Sequence, residues 1–70
     1  MTQAERVKAV ECLVDASSVF EVSSALELVC YEKAEHLRSN WQDAASARDW
    51  ERAAKAIQAL NRKLQRMKVA

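Results

Sequence analysis

The sequence predicts an all-α fold: an antiparallel helical hairpin with a short N-terminal helix, paired with a second copy into a dimeric helical bundle. Three observations carry this. The 70 residues include no glycine and no proline, so the strongest helix breakers and the usual residues of tight turns and phosphate loops are missing. Ala, Leu, Glu, Lys, Arg and Gln dominate, all good helix formers. Apolar residues recur at helical spacing, most clearly Trp50, Ala53, Ile57, Leu60, Leu64 and Met67, which fall on one helix face.

Residues 1–70 form one domain at most. A chain this short buries only about 60% of its unfolded surface. Two cysteines and one histidine make neither a disulfide framework nor a zinc site. Self-association is the remaining source of stability, so a homodimer is expected.

The first helix is expected over about 3–16. Thr2 and Glu5 form a capping-box pair, and Val7, Val10, Leu13 and Val14 supply a short apolar stripe. Asp15-Ala-Ser-Ser18 weakens that stripe, because these side chains compete for backbone hydrogen bonds. Ser18 with Glu21 and Ser24 with Glu27 repeat the capping pattern, and the residues leave open which of them starts the next helix. A long helix then spans about 19–47, with Val22, Leu26, Val29, Cys30, Leu37, Trp41 and Ala44 as its core stripe. That stripe continues through Ser39-Asn40, which favours a hairpin turn at 47–49. Ser39-x-x-Gln42 marks a competing turn at 38–40. With the turn at 47–49, Asp49 caps a last helix over about 49–68 and Glu51 lies near its positive end.

Net charge is +1, unevenly spread. Residues 1–37 carry three basic and seven acidic side chains, a net of −4; residues 38–70 carry eight and three, a net of +5. An acidic half followed by a basic half suits a chain folded on itself or on a second copy. Cys12 and Cys30 lie outside any metal or redox spacing and are expected as buried, reduced thiols. With no charged-then-apolar leader and no long apolar run, a cytoplasmic protein without a membrane span is expected.

The run Ala47-Arg-Asp-Trp-Glu-Arg-Ala-Ala54 resembles the tip of helical-hairpin interaction modules. Flagellar export chaperones and tetratricopeptide hairpins carry a Gly-Asp-aromatic-Glu step there, and the UVR motif of excision-repair proteins carries an acidic-aromatic-Glu-x-Ala-Ala step. Asp49, Trp50, Glu51, Ala53 and Ala54 match; Arg48 stands where the first two families have glycine. The resemblance implies a hairpin that binds proteins. In size and class the chain is also similar to small phage-encoded proteins that sequester host regulators.

No catalytic set, metal site or cofactor is expected. Glu32 and His36 share a helix face, but a metal needs more ligands than they offer. Two surfaces are candidates. Phe20, Ser24, Glu27, Tyr31 and Glu35 form a second, aromatic face of the long helix, which either packs under the Val7-Val10-Val14 helix or a second subunit, or serves as a protein-docking surface. Arg52, Lys55, Arg62, Lys63 and Arg66 form a basic arc opposite the apolar stripe of the last helix. The expected function is a non-enzymatic protein that binds and sequesters or regulates another protein, as an adaptor, chaperone or inhibitor. The alternative is nucleic-acid binding through the basic arc.

Overall fold

A computed structural model describes residues 1–40 and 42–67. It contains helices α1 (Gln3–Ala16), α2 (Val19–Asn40) and α3 (Ala44–Met67), and no strand among the described residues. The expected Trp41 core position and the expected helix end at Lys68 lie outside the described residues.

Local chemistry sets each boundary. The Thr2 hydroxyl accepts the Glu5 N–H at 3.1 Å, and the Thr2 N–H donates to Glu5 Oε1 at 2.9 Å, so the predicted capping box closes. The Thr2 backbone N–H, and after it the Thr2 hydroxyl, holds the Glu5 carboxyl below its ordinary pKa. Ser17 ends α1: its N–H and hydroxyl both donate to the Leu13 carbonyl, at 3.1 and 2.8 Å. Ser18 begins α2, its hydroxyl accepting the Glu21 N–H at 3.0 Å. Of the three capping patterns, Ser24 with Glu27 therefore lies inside a helix.

The hairpin turn differs from the expected one. It falls between Asn40 and Ala44, not at 47–49, and Asp43 rather than Asp49 starts α3. Asp43 Oδ1 accepts the Ser46 N–H at 3.1 Å; that N–H, then the Ser46 hydroxyl, holds the Asp43 carboxyl below its ordinary pKa. Gln42 takes a left-handed φ of 51°, and the Asp43 N–H reaches back to the Leu37 carbonyl at 3.0 Å. Asp49, Trp50 and Glu51 are thus interior positions of α3.

The α2–α3 pair packs through its smallest residues. Cys30, Ala34, Ala47 and Ala54 form the buried apolar core, joined by Ser23 and Asn61. Ala47, Ala54 and Asn61 recur every seven residues, as do Ser23 and Cys30, the repeat of a coiled-coil seam. Two cross-helix contacts fix the register: Asn61 Nδ2 donates to Glu27 Oε1 at 2.7 Å, and Arg38 ion-pairs with Glu51. That register sets Ala34 opposite Ala54. Without large side chains in the seam, the two helices approach closely.

The expected core stripe of α2 is divided: Cys30 is buried and Leu37 half-buried, while Leu26 and Val29 are turned away from α3. Val22 is half-buried, while Leu26 is 51% and Val29 44% exposed. On α3, Ala53, Ile57 and Leu64 are half-buried, whereas Trp50, Leu60 and Met67 remain exposed. Of the two thiols expected to be buried, Cys30 is and Cys12 is exposed.

Helix α1 touches α2 and not α3, and none of its residues is buried. Two packed helices lie about 8–10 Å apart, so a second molecular dimension of 31 Å reflects α1 standing out from the pair. The radius of gyration is 13.9 Å, against about 11 Å for a compact chain of this length.

Candidate docking surface

The Ser17–Ser18 elbow holds α1 and α2 at an open angle. Between them lies a cleft of 440 Å³. Val10 and Leu13 line it from α1, and Val22, Ala25, Leu26 and Val29 from α2, with Ser17 at the elbow and Glu21 at the edge. Val10 is 49% and Leu13 56% exposed. The cleft is thus lined by large apolar side chains that the rest of the chain leaves uncovered.

Helix geometry joins this cleft to a wider apolar face. At about 100° per residue, Leu26 lies roughly 80° to one side of the α2 direction that meets α3. Leu60 and Leu64 lie to one side of the α3 direction that meets α2. Because the helices are right-handed and antiparallel, these two offsets point to the same side of the hairpin. That side carries Leu26, Ile57, Leu60 and Leu64. The opposite side carries Ser24, Tyr31, Lys55 and Arg62.

The aromatic face proposed from sequence falls elsewhere. Phe20, Ser24, Glu27 and Tyr31 are half-buried, and Glu27 is held by Asn61 of α3. Glu35 is exposed, accepting the Ser39 hydroxyl at 2.8 Å and lying 3.7 Å from Arg38. Four of these five residues are thus partly covered within the chain.

The basic arc is where the sequence places it. Arg52, Lys55, Arg62, Lys63 and Arg66 are all exposed on α3, with Arg52 3.6 Å from Asp49. Glu32 and His36 border a shallow hollow with Val29 and Lys33, and His36 Nδ1 lies 2.8 Å from Asn40 Nδ2. Among the described residues no group of three or more His, Cys, Asp or Glu is placed to hold a metal ion, and no helix is long and apolar enough to cross a membrane.

Missed by sequence reasoning was the cleft itself. Its signal was present in the α1 stripe Val7, Val10, Leu13 and Val14 beside an acidic, serine-rich elbow, which marks a helix able to stand apart. Compared with known proteins, the chain matches no protein-family model, no curated protein and no solved structure.

Proposed function

We propose that this protein is a non-enzymatic, cytoplasmic docking module that holds another polypeptide in the α1–α2 cleft and so sequesters or regulates it. The carrying observation is the cleft, with uncovered Val10 and Leu13 on one wall and Leu26 and Val29 on the other. Apolar grooves between helices accept an amphipathic helix through anchors at i, i+3, i+4 and i+7. The exposed basic arc supports a competing reading, nucleic-acid binding, whose affinity would come from phosphate contacts.

The test compares affinity-tagged wild type with Val10→Asp/Leu26→Asp as baits, identifying retained polypeptides by mass spectrometry. The expected result is specific retention by wild type and its loss in the cleft variant, with helicity unchanged by circular dichroism. Equal retention by both baits would overturn the docking site. Nucleic-acid retention that falls steeply with salt and disappears in Arg62→Ala/Arg66→Ala would establish the competing reading instead.

A further inference from the structure

We infer that the polypeptide that fills the cleft is α3 of a second copy of this chain, in a two-fold dimer. The inference rests on the docking reading above and names its occupant.

Surface area gives the first argument. The chain exposes 5504 Å², whereas a compact monomer of 7.9 kDa exposes about 4,400 Å². The surplus of roughly 1,100 Å² exceeds the ~800 Å² that each partner contributes to a standard stable interface. A core of Cys30, Ala34, Ala47 and Ala54 contains no large side chain, so this chain has more to gain from a partner than most of its size.

Shape gives the second. Leu60, Leu64 and Met67 stand at i, i+4 and i+7 on α3, the spacing that enters a helix-lined groove. Leu60 is 48% and Met67 66% exposed. The hairpin register places Leu60 to Met67 level with the segment of α2 that lines the cleft, since Asn61 meets Glu27. A two-fold axis parallel to the hairpin keeps that level and sets α3 of each copy over α2 of the other. Both clefts are then filled by one isologous contact, and the two hairpins become a four-helix bundle.

Charge gives the third, and it selects this axis. Helix α2 carries four acidic and two basic side chains, and α3 carries six basic and two acidic ones. The parallel axis brings acidic α2 of one copy against basic α3 of the other. A perpendicular axis would stack α2 on α2 and α3 on α3, setting like charges together, which opposes association.

Sedimentation equilibrium at micromolar concentration tests this on the full chain. Wild type should sediment at twice 7.9 kDa. Leu26→Lys and Leu60→Asp should each weaken self-association by roughly tenfold, and a 1:1 mixture of the two variants, which pairs the new charges, should restore dimer. Leu26 and Leu60 are about half exposed in the single chain, so lost association with unchanged helicity by circular dichroism does not report unfolding. A monomeric wild type, or variants whose mixing restores nothing, overturns the inference. A monomer whose cleft substitutions still abolish retention of other polypeptides overturns the second copy alone. A monomer indifferent to those substitutions overturns the docking reading as well.

Discussion

The α2–α3 seam and the α1–α2 cleft are built from opposite materials. The seam uses Ala34, Ala47, Ala54 and Cys30, with Asn61 tied to Glu27 and Arg38 to Glu51. The cleft uses Val10, Leu13, Leu26 and Val29, with large side chains and empty space between them. Small residues let two backbones meet and leave no room for a third party. Large residues hold two helices apart and leave surface to be covered. In this chain the close contact completes the hairpin, and the open one leaves apolar surface uncovered.

That contrast can be broken from either side. Ala54 is fully buried, so Ala54→Leu overpacks the seam and should cost about 1–3 kcal/mol, enough to unfold much of a marginal chain. Leu26→Ala, measured at concentrations below self-association, should leave urea stability within about 0.5 kcal/mol of wild type. Equal losses in the two variants would erase the distinction. A smaller effect is expected inside the seam from Asn61→Ala. It removes a 2.7 Å hydrogen bond to half-buried Glu27, and chemical denaturation should register a loss of about 1–2 kcal/mol.

The caps sharpen the contrast through pH. The folded Glu5 and Asp43 carboxyls both titrate below their ordinary range, so the unfolded chain binds protons more readily than the folded one. Their contribution is therefore complete above the ordinary carboxylate range and is lost as pH falls through the folded values. Amide exchange should show the starts of α1 and α3 opening first in acid, with Glu5→Gln abolishing the pH response of α1 and leaving that of α3. The smallest effect is a gain. Gln42 holds a left-handed φ without being glycine, so Gln42→Gly should raise thermal stability by about 0.5–1 kcal/mol.

Helix content and the Thr2–Glu5 box were legible because each depends on neighbours in sequence, whereas Ser18 and Ser24 carry the same local pattern and only the structure separates them. The turn was not, for a local reason as well. Asp43-Ala-Ala-Ser46 and Asp49-Trp-Glu both look like helix starts, and the left-handed position fell on glutamine, which gives no signal. Facing was misread for a different reason. A wheel ranks faces by hydrophobic bulk and so favours Val22, Leu26 and Val29, whereas two helices in close contact select the least bulky face, here Ser23, Cys30 and Ala34. Only the register against Ala47, Ala54 and Asn61 reveals that choice, and register is a property of the pair. The basic arc was legible because exposed charge needs no partner to be placed.

The most direct test of this division is a half-filtered NOE spectrum of a 1:1 mixture of isotope-labelled and unlabelled chains. Ala34 and Ala54 methyls should show cross-peaks to each other within one chain, and Leu26 methyls should show cross-peaks to Leu60 or Leu64 only between chains. Leu26 methyls in contact with Ala54 of their own chain, or Ala34 in contact with Ala54 of another, would contradict the account.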